Sequence, residues 1–174
     1  MTSGTDSAFS VRALGAGDAA AFLALRREAL TACPASFGAA AGDDFLQTEE
    51  DVSQLFGRRN GDVVFGAFTD RLVGIAGLYR EPKQKTRHKV HVWTMYVVPA
   101  SRGCGAGRAL MTAVIAHARM IEGVTGIHLS VSEQAGPART LYGSLGFAIW
   151  GTEPDGLVFQ GTSVSLHHML LQLS

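Results

Sequence analysis

The sequence predicts a mixed α/β fold, with helices packed on one central sheet, and three observations carry that prediction. Two β-rich runs, residues 63–68 and 72–79, are separated only by Thr69, Asp70 and Arg71, which marks a hairpin. A third run, residues 91–98, is almost wholly β-branched, aromatic or apolar, which puts it at the sheet centre with both faces buried. Behind it Leu110, Val114, Ala118 and Ile121 fall at helical spacing, and Ile127, Leu129 and Val131 then alternate with polar residues as a strand does. Such a strand-helix-strand passage joins parallel strands by a right-handed crossover, whereas hairpins pair antiparallel, so the sheet is mixed.

The remaining elements follow in chain order. Residues 9–14 read as a short strand. Asp18 is a plausible N-cap, and Phe22, Leu25 and Ala29 recur at helical spacing behind it. Residues 33–47 are rich in glycine and alanine and read as loop; residues 49–59 read as a short helix. Residues 81–89 are polar and basic and form a second turn. Pro137 suits the first position of another helix, Leu141 and Leu145 share a face of it, and Gly146 is its C′ residue. The end of the chain, residues 163–173, reads as strand.

Composition bounds the function. A chain of 174 residues suits one domain, here residues 1–174, large enough to bury a core without staples, and an apolar fraction of 47% argues against disorder. Fifteen basic residues offset fifteen acidic ones, so no whole-protein field gathers nucleic acid or an anionic membrane, and any anion site must be local. Cys33 and Cys104 make neither a disulfide framework nor a metal-type pair, and no metal is expected. Residues 1–10 lack the basic flank and apolar stretch of a secretory signal. The apolar runs fall short of the roughly 20 residues a bilayer requires. A cytoplasmic location is the expectation.

The most informative segment is Val97-Val98-Pro99-Ala100-Ser101-Arg102-Gly103-Cys104-Gly105-Ala106-Gly107-Arg108, which leaves the buried strand and enters a helix. Glycine lets main chain approach a ligand, because no Cβ intervenes. The first N–H groups of a helix lack internal partners and sit at the positive end of its dipole. Together they suit a pyrophosphate, and Arg102 and Arg108 add local positive charge. A turn that only allows tight packing would share the glycines; the two arginines and the place at a helix start favour an anion. The dinucleotide fingerprint G-x-G-x-x-G fails, since its third glycine would be Arg108, and the G-K-[ST] of a P-loop is absent.

The pattern that fits is Arg-x-x-Gly-x-Gly at Arg102, Gly105 and Gly107. With the preceding Met95-Tyr96-Val97-Val98-Pro99 and the later run Ala138-Arg139-Thr140-Leu141-Tyr142-Gly143-Ser144-Leu145-Gly146-Phe147, it resembles the GCN5-related N-acetyltransferase (GNAT) family. Two motifs in the right order and spacing are more specific than either alone, and the resemblance spans nearly the whole chain. It implies a central mixed sheet of six or seven strands with about four helices. It also implies acetyl-CoA as cosubstrate and direct transfer of the acetyl group to an amine. The coenzyme would lie along Tyr96, Val97 and Val98 and on the loop of Arg102, Gly103, Cys104, Gly105, Ala106, Gly107 and Arg108. Where the family often has an Asn three residues before the motif alanine, this chain has Ala135.

Tyr142 matches the family's general-acid tyrosine, although its helical neighbours Leu141 and Leu145 are core-like. An ammonium acceptor, with a reference pKa near ~10.4, must lose a proton before attack. The family's base is often a glutamate on the central strand, and none lies between His88 and Pro99; His91 is the candidate there, with His88 beside it. A bulge in that strand would exchange the faces of the two. His117 and His128 read as surface or satisfied groups. His167 and His168 are adjacent, so their rings point to opposite faces, which argues against a metal pair. Cys104 reads as a small loop filler, and Lys83, Lys85, Arg87 and Lys89 as a solvated turn. A coenzyme-A-binding domain without turnover is the alternative function. The acceptor, a small molecule or a protein amine, would meet residues 34–46 and the hairpins, with Phe37, Phe45 and Trp93 as candidate pocket residues. Dimers are frequent among similar proteins, so a homodimer is expected as one assembly.

Overall fold

The computed structural model of the protein describes residues 9–58 and 60–173. The reading of residues 1–8, and the end of the expected helix at Arg59, lie outside the described residues. The chain runs β1 (Ser10–Ala13), α1 (Ala19–Ala32), α2 (Glu49–Phe56), β2 (Val63–Phe68), β3 (Leu72–Arg80) and β4 (Lys89–Val97). It continues through α3 (Ala106–Met120), β5 (Gly126–Ser132), α4 (Gly136–Ser144), β6 (Ala148–Phe159) and β7 (Thr162–Gln172). The strands form one seven-stranded sheet in the order β1-β2-β3-β4-β5-β7-β6. Among the described residues only β4 and β5 pair in parallel, across the α3 crossover. No helix among the described residues is long and apolar enough to cross a membrane.

Local sequence explains most boundaries. α1 buries Phe22, Leu25 and Ala29, the stripe its spacing predicts. Asp18 precedes it but does not cap it with its side chain, contrary to the sequence reading. Its carboxylate instead accepts from both guanidinium nitrogens of Arg12, each at 2.8 Å, and from the N–H of Gly15. α2 starts on a capping box: the Thr48 hydroxyl accepts from the Asp51 N–H while the Asp51 carboxylate accepts from the Thr48 N–H. It stops at Phe56 because Gly57 follows as C-cap. Gly146, with φ +95°, takes the left-handed conformation expected of a C′ residue after α4.

The two faces of the sheet carry different helices. Trp93 of β4 packs edge-on against Phe22 of α1, with ring centroids 6.5 Å apart. Met95, two residues later, lies against Gly107 of α3. Alternation should put these two on one face. A bulge reverses it: Tyr96 pairs with Ile75 and Trp93 with Gly77, so β4 carries one extra residue. The expectation that β4 is buried on both faces holds only in part. Val90, Thr94, Tyr96 and Val97 are buried, whereas His91, Val92, Trp93 and Met95 are half-buried. The reason is that β4 and β5 pair at only three positions, the last of them His91 with His128, and then part.

Candidate active site

The parting of β4 and β5 opens a cleft of about 830 Å³ at the centre of the sheet. One wall is the C-terminal half of β4 with the loop that follows it; the other is β5 and the start of α4. The glycine loop shapes the mouth. Gly103 and Gly105 hold φ +77° and +90°, the left-handed region that β-carbons disfavour. A Cβ on Gly107 would stand 3.3 Å from both Leu141 Cδ2 and Met95 Cε. Gly105 is the N-cap of α3, and the regular ladder begins only with Ala109 N–H donating to Gly105 C=O at 3.0 Å. No acidic side chain occupies the first turn of α3. The N–H groups of that turn and the positive end of the helix dipole are thus directed at the cleft mouth, a fit for a phosphate-bearing ligand.

A family model described as Acetyltransferase (GNAT) family matches residues 22–147. The chain belongs to the GNAT acetyltransferase family. Solved structures agree. The chain superposes on yncA from Salmonella typhimurium, solved with its cofactor acetyl-CoA, with a TM-score of 0.82 at 25% identity, covering 96% of this chain and 95% of that one. A ribosomal-protein-alanine N-acetyltransferase from Brucella melitensis gives 0.81 at 26% identity, covering 94% and 99%. A GCN5-related N-acetyltransferase from Kribbella flavida gives 0.81 at 28%, covering 95% and 98%. No curated protein matches the sequence. The seven-stranded mixed sheet with four helices is the fold of these GNAT structures.

Of the residues singled out from the sequence, Tyr96, Val97, Arg102, Gly103, Gly105, Gly107, Arg108 and Tyr142 line this GNAT cleft. Val98 and Ala106 are buried behind it, and the Val98 N–H is spent on Val73 C=O. Cys104 is exposed, with its Sγ 3.7 Å from Arg102 C=O. The two arginines are partly committed. Arg102 Nε donates to Val97 C=O at 2.8 Å and its guanidinium lies over the Tyr96 ring; Arg108 Nη2 donates to Ser144 Oγ at 2.7 Å. Each keeps further N–H donors at the cleft.

Tyr142 is 6% exposed, and burial pushes its hydroxyl up to about 12, so the proton stays on at neutral pH. Its hydroxyl has no hydrogen-bond partner among the described residues. Tyr96 is also raised to about 12, by burial and then by its hydrogen bond to Glu28 Oε1 at 2.9 Å. That bond turns the Tyr96 hydroxyl toward α1.

His91 is not brought into the cleft, which corrects the sequence reading. The bulge lies beyond it, so it keeps the face of Trp93 and sits below the fork. There it stacks between Tyr79 and His128, with centroid distances of 4.9 and 5.3 Å, and its Nε2 is 3.1 Å from Glu81 Oε1. Burial lowers the pKa of His91 and that of His128. His167 and His168 do point to opposite faces, His167 toward Thr152 and His168 toward Ser130. Where the family has its asparagine, Ala135 leaves α4 without a side-chain cap, and buried Ser132 holds the turn by accepting from the Gln134 N–H at 3.2 Å.

Sequence reasoning missed the group that fixes the fork. Thr94, the bulge residue, has φ +52°, an outlier for a β-branched side chain. Its Oγ1 accepts from Arg26 Nη1 at 2.9 Å, while Arg26 Nε and Nη2 donate to Asp44 at 2.5 and 2.6 Å. All three residues are buried. Arg26 falls in the expected helix and Asp44 in an expected loop, and a charged residue in either normally faces water. The one available signal was position: Arg26 lies one residue from Leu25 and three from Ala29, on the apolar side of α1.

Proposed function

We propose that the protein is an N-acetyltransferase that moves the acetyl group of acetyl-CoA directly to a primary amine. The observation that carries the reading is the fork between β4 and β5. It opens at one end onto the α3 N-terminus and has the protonated hydroxyl of Tyr142 on its α3 side. The family membership and the acetyl-CoA seen in the Salmonella typhimurium protein support it.

In this reading the main-chain N–H groups of residues 103–108, with Arg102 and Arg108, hold the diphosphate, and the edge of β4 at Tyr96 and Val97 holds the pantetheine arm. Bound acetyl-CoA supplies an acyl thioester at the fork. A β4 main-chain N–H freed by the bulge is a fixed donor for the oxygen that gains charge on attack. Tyr142 donates to the departing thiolate. The acceptor enters from the α1 face, past Trp93, Phe37 and the exposed Phe45, whose ring lies 5.9 Å from Trp93. The whole chain acts as one catalytic domain, without nucleic acid, membrane or metal, in the cytoplasm, as a monomer or a homodimer.

The test is thiol release from acetyl-CoA with lysine, spermidine, tyramine and peptides beginning with alanine, serine or methionine, the products checked by mass for one added acetyl group on nitrogen. Turnover with any of them supports the reading. Tight coenzyme A binding with no thiol release from any amine would instead support the coenzyme-A-binding alternative.

A further inference from the structure

Beyond the fork the α1 face of the sheet carries a chain of polar groups that the reading above does not use. β5 residues alternate, so Ser130 shares the face of His128 and hence of His91 and Trp93. It stands two residues past the last β4–β5 pair, at the rim of the fork, and lines the cleft. Directly across the β5–β7 ladder is His168. The Ser130 hydroxyl lies 2.8 Å from His168 Nδ1, and His168 Nε2 lies 3.1 Å from Glu153 Oε2 of β6.

Two further features hold the imidazole. A bulge in β6 between Ile149 and Gly151 turns the unpaired Trp150 onto it, with ring centroids 5.4 Å apart and an interplanar angle of 27°. The carboxylate of Glu153 can only accept, so Nε2 carries the hydrogen and Nδ1 is the free lone pair that receives the Ser130 O–H. The His168 ring is therefore set, in tautomer and orientation, to take a proton through Ser130.

We propose that Ser130 and His168 form the proton exit of the acetyl transfer, with Glu153 as the positioning residue; this rests on the N-acetyltransferase reading above. The acceptor, neutral after its first proton is lost to solvent, attacks the thioester carbon with its nitrogen electron pair, and the nitrogen then gives a second proton to Ser130 Oγ as the hydroxyl proton of Ser130 passes to His168 Nδ1. The C–S bond breaks with its pair on sulfur, which takes a proton from Tyr142, and solvent returns a proton to the tyrosinate. The imidazolium is balanced by Glu153, whose side chain is 53% exposed and so connects the chain to solvent. Proton acceptor and proton donor thus stand on opposite faces of β5, with the thioester between them. This also accounts for the absence of a carboxylate on β4: the function His91 was expected to fill is supplied from β5, β7 and β6.

Other ionisable groups on the surrounding elements are His128 on the same face of β5, Glu133 just past it, whose Oε1 accepts the Ser165 N–H at 3.0 Å, Asp155 of β6, which accepts from Ser163 Oγ, and Cys33, which lines the same cleft as Ser130. The turn at Pro34–Ser36, which crosses β5 and β6, brings none.

The experiment uses the full chain, acetyl-CoA and the amine panel above, with His168→Gln, Ser130→Ala and Glu153→Gln as variants. Coenzyme A affinity should stay within about twofold in His168→Gln and Glu153→Gln, which lie outside the cleft lining; Ser130 lines it, so Ser130→Ala is compared at saturating acetyl-CoA. His168→Gln and Ser130→Ala should lower kcat by roughly 10²-fold, a typical general-base contribution. Glu153→Gln should lower kcat less than His168→Gln and should mix the two imidazole tautomers, because an amide can donate to Nε2 as well as accept from it. Nitrogen NMR of the imidazole at neutral pH should report the Nε2–H tautomer, a readout that needs no acceptor. Wild-type kcat in His168→Gln would overturn the proposal, as would an Nδ1–H tautomer. A wild type that binds coenzyme A but acetylates no amine would overturn the N-acetyltransferase reading, and the proposal with it. If His168→Gln does not fold, the exposed Ser130 and Glu153 positions decide.

Discussion

Removing the Asp44 carboxylate tests the account of the fork most severely. Asp44 and Arg26 have side chains 3% and 6% exposed; among the described residues the guanidinium hydrogen-bonds only to Asp44 and the Thr94 hydroxyl, with the Trp93 and Phe45 ring centroids 5.1 and 5.7 Å from its central carbon. Asp44→Leu leaves a buried positive charge with one neutral acceptor, and breaking such a pair from one side costs about 3–5 kcal/mol. Against a typical domain stability of roughly 5–15 kcal/mol, that is a large share. Urea unfolding should show it as a lower midpoint at unchanged slope. Replacing both partners, Arg26→Met with Asp44→Leu, removes the orphaned charge and should recover most of the loss, because well-packed apolar groups substitute for a buried pair at little cost. Function should not recover with it. Thr94 then loses its donor, and the left-handed conformation, worth about 1–3 kcal/mol of strain, loses what holds it. The double variant should therefore fold well and turn over slowly, by roughly tenfold or more. A double variant as unstable as Asp44→Leu alone would refute the desolvation argument. A double variant with wild-type kcat would refute the claim that Arg26 holds the bulge.

Four further outcomes are expected. Gly105→Val and Gly107→Val should both weaken coenzyme A binding in calorimetry, the first through its φ of +90° and the second through Cβ contacts 3.3 Å from Leu141 and Met95; unchanged affinity in both would make the loop a packing turn. Arg102→Ala should weaken coenzyme A by about tenfold, or ~1.4 kcal/mol, and pantetheine much less; equal losses would mean that its bond to Val97 C=O, a structural role, dominates. Tyr142→Phe should keep fold and coenzyme affinity and lose about 10²-fold in kcat at saturating acceptor; full kcat with chemistry rate-limiting would reduce Tyr142 to a packing residue. For His91 and His128, burial lowers the folded pKa below the ordinary value of about 6.5. The unfolded chain then binds protons that the folded one refuses, so their contribution to stability is present above that pH and is lost as pH falls below it. His91→Gln should flatten the loss of stability between neutral and mildly acidic pH, and an unchanged slope in urea titrations across that range would contradict the burial assignment.

Elements whose signal is local were legible in advance. The hairpin at residues 69–71, the apolar stripe of α3 and Gly146 after α4 each depend on neighbours within a turn or two. The glycine loop was legible for the same reason: Gly103, Gly105 and Gly107 answer to backbone conformation and to one strand-helix junction. Errors arose where a side chain had more than one partner to choose from. Asp18 could cap α1 or pair with Arg12, and the bidentate guanidinium won. His91 carried the right chemistry on the right strand, yet its place below the fork depends on where β4 and β5 stop pairing.

The sequence by itself determined the class of the protein, because period, turn chemistry and two spaced motifs are properties of contiguous residues. It also placed a candidate anion site at a glycine-rich helix start, where Arg102 and Arg108 flank three glycines. Tertiary structure alone decided which groups meet across the fork. Arg26, Asp44 and Thr94 come from α1, a loop and β4, separated by 18 and 68 positions in the bonds they make. Ser130, Glu153 and His168 come from three strands whose order, β5-β7-β6, is not their order in the chain. No local pattern encodes such meetings. They are set by sheet register and by the cost of burying a charge or a hydroxyl without a partner, and both exist only once the chain has folded.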